Sequence, residues 1–230
     1  MPIKILAGEL PPYSYTENGK NKGINLEPFI IAARNRNIPL EIEFLPWKRA
    51  QKIMENQPGV FLITLARIPY REKLYRWVAP LSQINLGFMS FKKLNSEIDY
   101  THLPPSSQGQ NIPSDSRVCV HTQTPMLRWI RDSIYSNYTE ASTEDICLKF
   151  LQTGRADYWF TDEKLARHLV EESGGDPDDL IFHQRIMKPL LYLTTSLKTP
   201  EEQVETMKEL LASSDLAKQS LFFSEQLNIF

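Results

Sequence analysis

No stretch of this 230-residue chain approaches the ~18 consecutive apolar residues of a membrane-spanning helix, so a transmembrane helix is excluded. The opening MPIKILAGEL also lacks the basic head and apolar stretch of a secretory leader, and enters a strand-like alternation at once. Two expectations follow: a cytosolic protein, or an exported one whose leader is not in this chain. The cysteines are only two, Cys119 in RVCV and Cys147 in EDICLKFL; two buried thiols and one disulfide are both open. The four histidines stand at no ligand spacing with either cysteine, so neither a metal nor another cofactor is expected. There is no Gly-x-Ser-x-Gly elbow, phosphate loop or cysteine–histidine pattern, and therefore no expectation of an enzyme. A formal net charge of −2 gives no reason to expect nucleic acid or an anionic membrane as partner.

What is present is an ordinary globular composition, 41% apolar and 23% charged, enough to bury a core in one domain or two small lobes. The charge is uneven. Residues 1–90 carry 12 Lys+Arg against 7 Asp+Glu, and residues 91–186 carry 10 against 15. A net +5 beside a net −5 fits two lobes facing a ligand that bears both signs.

The first part alternates strand and helix. PIKILAG, LEIEFL and GVFLITLA read as strands; INLEPFIIAARNRN reads as a helix that Asn25 can cap. PWKRAQKIMEN reads as a helix with Pro46 in its first turn. Connections this short between β-α-β-α-β elements argue a parallel sheet wrapped by helices. A second unit repeats the order: SRVCVH as strand, TPMLRWIRDSIYSN and STEDICLKFLQTG as helices, RADYWFT as strand, with EKLARHLVEE as a helix behind it. Between them DYTHLPPSSQGQNIPSD reads as an exposed loop. INLGFMSFKK and KPLLYLTTS are strands able to cross between the units, and PEEQVETMKELLASSDLAKQSLFF supplies terminal helices.

The ordered fragments GELPPYSY, GINLE, PWKRA, RIPYRE…WVAP, VHTQT and GRADYWFTDE resemble bacterial type II solute-binding proteins (family 3), related to amino-acid receptors of uptake systems. The Pro-Trp-x-Arg-Ala piece resembles a less characterised branch of that family. The resemblance implies an α/β, two-lobed periplasmic-binding-protein-like type II fold. Each lobe would be a mainly parallel sheet flanked by helices, joined by two crossing strands, with lobe 1 at 1–90 plus 187–230 and lobe 2 at 91–186. It further implies a monomer that closes by a hinge over a small-molecule ligand, an amino acid or small carboxylate, in the periplasm, and hands it to a membrane permease. A ligand-sensing domain of a signalling protein and a small dehydratase-like enzyme on the same fold are the alternatives.

In such receptors the arginine nine residues before the strand-end proline grips the ligand carboxylate; counted back from Pro80 this is Arg71, whose planar fork matches a carboxylate. Arg67 either touches ligand or braces Glu72, and Arg76 is expected in solvent. Asp162 stands where the receptors meet the ligand ammonium, a role compatible with capping the helix behind it. Asp157 is expected to cap or brace its strand. Thr122 and Thr124, in the turn of VHTQTPM, offer hydroxyls to the carboxylate, although Gln123 replaces a usual glycine there and Pro125 removes one N–H. Thr64 matches a donor position, while Ala66 replaces a frequent serine. Tyr13 and Trp47 are candidate walls, Trp47 as a stacking ring. Arg49 either selects an acidic side chain or pairs with a carboxylate such as Glu9, and Glu9 either binds a ligand cation or caps its loop.

Overall fold

The structure, a computed structural model, describes residues 2–92, 112–122 and 124–227. The expected Pro/Ser/Gln-rich loop lies outside the described residues over 99–111, as does Gln123. The chain forms two compact units: Met1–Gln83 with Pro189–Phe230, and Ile84–Lys188.

In unit 1, β1 (Ile3–Ala7) pairs in parallel with β4 (Leu40–Phe44) and β5 (Val60–Ala66). Beyond β5 lie β12 (Leu190–Thr195) and the edge strand β6 (Arg76–Gln83), each antiparallel to its inner neighbour. Pro80 is tolerated in β6 because an edge strand need not donate on both sides. Alternation along the strands decides which helix covers which face. Ile5, Ala7, Phe61 and Ile63 pack with α1 (Glu27–Asn35) and α6 (Glu201–Ala212). Leu6, Val60 and Leu62 pack with α2 (Trp47–Asn56). The parity breaks after Ile63. Ile63 and Thr64 together oppose Leu193, a bulge that carries Leu65 onto the face of Leu62. Thr64, the residue at the bulge, is buried with φ +62°. A β-branched residue in the left-handed region is strained, so the surrounding fold must impose it.

Two helix starts differ from the sequence reading. Asn25 does not cap α1; it is buried, and its amide donates to Ser82 Oγ on β6 at 2.9 Å. The Glu27 carboxylate instead reaches back to the Gly23 N–H at 3.0 Å. Pro46 precedes α2 with extended backbone, and Trp47 is the first helical residue. A short hairpin, β2 (Tyr15–Glu17) and β3 (Lys20–Lys22), and the helix α7 (Ala217–Leu227) complete the unit.

In unit 2, β8 (Val118–His121), β9 (Tyr138–Ala141) and β10 (Tyr158–Asp162) are parallel. β7 (Leu86–Phe91) runs antiparallel to β10, and β11 (Leu180–Met187) antiparallel to β7. The helices are α3 (Pro125–Arg131), α4 (Glu144–Gln152) and α5 (Glu163–Glu172). The expected helix in TPMLRWIRDSIYSN ends at Arg131, since Asp132 already leaves helical geometry. An aromatic core sits beside α3, with Phe88 and Phe160 stacked at 4.7 Å and Trp129 edge-on to Phe160. The cysteine alternatives resolve into a disulfide, Cys119–Cys147, joining β8 to α4.

Candidate functional site

Loops leaving the carboxyl ends of parallel strands face the crevice where ligands bind in open α/β sheets. In unit 1 these are the loops after β1, β4 and β5. After β1, Gly8 lies so close to Trp47, the first residue after the β4 loop, that a Cβ on Gly8 would overlap the indole. Ser14, buried, contacts Gly8 O at 3.1 Å and Thr64 Oγ1 at 2.9 Å, and Thr64 Oγ1 contacts Ile63 O at 2.7 Å. The β1 loop is thus tied to the bulge in β5. Tyr13 is buried in the same loop. Glu9 is exposed, and its carboxylate accepts from the Thr16 N–H at 3.1 Å and the Thr16 hydroxyl at 2.7 Å, capping the loop.

The loop after β5 carries the arginines. Arg67 forks onto Glu72, with Nε to Oε2 at 2.9 Å and a second prong to Oε1. It also donates to Tyr192 Oη at 3.1 Å and lies over the Trp77 and Tyr192 rings. The hydrogen bond from Arg67 holds the Glu72 carboxyl below its ordinary range against the opposing pull of burial. Arg67 is therefore committed within the unit. Arg76 pairs with Glu201 and donates to Thr199 O, so it is held on the surface rather than loose in solvent.

Arg71 differs. It ends the 3-10 turn Pro69–Arg71 and is 7% exposed. Its Nη1 donates to Ala66 O at 3.2 Å, and its guanidinium lies 5.4 Å from the Tyr70 ring centroid. Among the described residues no carboxylate forms an ion pair with it. A nearly buried cation answered by a carbonyl and a ring has donors left for an anion. Arg49, on the exposed side of α2, also has no side-chain partner among the described residues.

The corresponding edge of unit 2 is more fully satisfied. Asp162, 3% exposed, caps α5 by accepting from the Leu165 N–H at 3.1 Å and accepts from the Asn85 N–H at 2.8 Å. Asp157 accepts a two-pronged pair from Arg117, which holds its carboxyl below the usual range. Thr124 caps α3, contacting the Leu127 N–H and donating to His121 O at 2.7 Å. Thr122 stands half-buried with its N–H on Ala141 O. The sequence reading did not find Glu144. One of its oxygens accepts from Trp159 Nε1 at 2.7 Å and Thr161 Oγ1 at 3.1 Å; the other faces His121 Nδ1 at 3.5 Å. The signal was faint: an acid at a helix start, and strand residues two apart.

No protein-family model matches the chain, and no curated protein matches it. Solved structures do. A histidine kinase sensor domain with similarity to periplasmic binding proteins aligns over 94% of this chain and 95% of its own, at TM-score 0.70 and 15% identity. The GluR0 ligand-binding core in complex with L-glutamate aligns over 96% and 98%, at TM-score 0.70 and 13% identity. The arginine-bound form of truncated ArgBP from T. maritima aligns over 91% and 95%, at TM-score 0.69 and 15% identity. At such identities the likeness is one of fold. The chain has the two-lobed α/β fold of type II periplasmic-binding proteins, whose neighbours here are binding and sensor proteins.

Proposed function

We propose that the chain binds a small solute bearing a carboxylate, an amino acid or a related acid, and delivers it to a membrane transporter. One observation carries the reading: Arg71 is a nearly buried guanidinium, on a loop leaving the carboxyl end of a parallel strand, with no carboxylate partner among the described residues. A ligand carboxylate would complete it. With Arg67 neutralised by Glu72, Arg71 offers the ligand one positive charge. In this reading Trp47, Tyr13 and Thr64 shape the unit 1 side. On unit 2, the candidates it assigns to the remainder of the ligand are Thr122, Thr124 and Asp162. The disulfide supports an oxidising compartment such as the periplasm, where such bridges persist.

A second reading, a ligand sensor feeding a signalling module, is favoured by the likeness to a histidine kinase sensor domain. Both require the same binding event. A thermal-shift screen over amino acids, organic acids and polyamines, followed by titration calorimetry, tests it. A ligand that favours the folded state raises the melting temperature by mass action. Hits confined to carboxylates are expected; polyamines alone as hits would contradict the reading.

A further inference from the structure

Unit 2 carries a cluster that the proposed ligand role does not use. Cys119 and His121 are two residues apart on β8, so their side chains leave the same face of the strand. Glu144 and Cys147 are three apart on α4, so they share one face of the helix. The structure matches these pairs rung for rung: Cys119 is bonded to Cys147, and His121 Nδ1 faces Glu144 Oε1 at 3.5 Å. A third element closes the arrangement. Trp159 pairs with Cys119 in the β8–β10 register, and Trp159 and Thr161 donate to the other Glu144 oxygen at 2.7 and 3.1 Å. One covalent rung and one polar rung thus join the same helix to the same strand.

We infer that the Cys119–Cys147 bridge and the Glu144–His121 contact form a coupled redox and proton latch, each strengthening the other by holding the first turn of α4 against β8. The coupling is reciprocal by linkage: whatever the bridge adds to the polar rung, the polar rung returns to the bridge. Opening requires a dithiol reductant. One of its thiolates attacks a bridge sulfur, its second thiol resolves the mixed disulfide, and two electrons and two protons leave Cys119 and Cys147 as thiols and the reductant as a disulfide.

Among the described residues, two groups are recorded against the His121 ring. Glu144 faces it from α4, and the Ser142 carbonyl contacts it from the turn before that helix. From β10, the neutral Trp159 and Thr161 stand beside Glu144. On β9, Glu140 is paired with Arg131 of α3. Burial pulls the His121 pKa down, but the hydrogen bond and charge of Glu144, with the Ser142 carbonyl, outweigh it and the net shift is upward. The protonated ring therefore belongs to the latched state.

The test measures the His121 titration by NMR in the oxidised protein and after reduction with dithiothreitol. Above-ordinary titration is expected when oxidised, falling back when reduced; an unchanged midpoint would overturn the inference. Reduction that unfolds unit 2 leaves a second readout, the equilibrium of the bridge with a glutathione redox buffer. Glu144→Gln keeps the bridge and weakens the polar rung. At pH 6 its bridge should be about fivefold more easily reduced than that of the wild type, as expected for loss of one charge-assisted contact. That difference should shrink as pH rises past the His121 midpoint. Equal reduction of the two proteins, or a difference independent of pH, would show that the rungs are not coupled through the proton.

Discussion

Arg71 is a residue that stability alone does not favour. A guanidinium almost withdrawn from water loses hydration that one carbonyl and a ring only partly replace. Residues kept under such a penalty concentrate at sites where a ligand completes them. The expected outcome of Arg71→Met is a ligand-free protein more stable than the wild type by about 1 kcal/mol or more, because an apolar stem of similar length fills the site without the desolvation cost. Chemical denaturation of the two ligand-free proteins checks this. Destabilisation by Arg71→Met would mean that the arginine serves the fold. Arg67 shows the contrast, since Glu72, Tyr192 and Trp77 already satisfy it.

Between elements, the determinants are close approaches that only glycine allows. A Cβ on Gly87 in β7 would collide with the Gln184 carbonyl on β11, beside the register shift of that pair. Gly87→Ala should therefore destabilise unit 2 by about 2 kcal/mol or more, because backbone rather than a flexible side chain must yield. A urea midpoint within error of the wild type would refute that contact. The parallel core β4-β1-β5 was legible in the sequence because Ile5 and Leu6, or Phe61 and Leu62, alternate between two apolar faces across short connections. β9 and β11 were not legible. YTEA buries one residue, and LIFHQRIM stays half-buried along most of its length without alternation. The bulge at Thr64 was hidden for a related reason: it appears only when β12 is laid beside β5. Arg71 stood out through the resemblance to amino-acid receptors, which gives its spacing from Pro80 a meaning that the residues alone do not carry. His121, Glu144, Trp159 and Thr161 meet only through the packing of α4 on β8 and β10, which no local pattern encodes.

Across the whole molecule, two histidines set opposing pH dependences. Burial holds His183 neutral, with its pKa lowered to about 4, beside Ser90 Oγ at 2.6 Å. The unfolded chain binds that proton near 6.5, so the contribution of His183 is present above 6.5 and is lost as pH falls toward about 4. His121 acts the other way: its contribution is full below 6.5 and is lost as pH rises through its raised folded value. The urea midpoint should fall from pH 6.5 to 4.5 in the wild type and fall less in His183→Gln. Equal declines would assign the acid sensitivity elsewhere.

Binding itself is decided most directly by calorimetry of the best carboxylate ligand with wild type, Arg71→Ala, Arg71→Lys and Arg76→Ala. Loss of a nearly buried charged contact leaves the ligand carboxylate without its partner and should cost ~2–5 kcal/mol, which weakens binding by about thirtyfold or more. Arg71→Lys should also bind poorly, since an ammonium cannot reproduce the two-pronged geometry. Arg76→Ala should change the affinity by less than about fivefold, as a surface pair would. Equal losses from Arg71→Ala and Arg76→Ala, or no loss from either, would contradict the assignment of Arg71 as the anion contact.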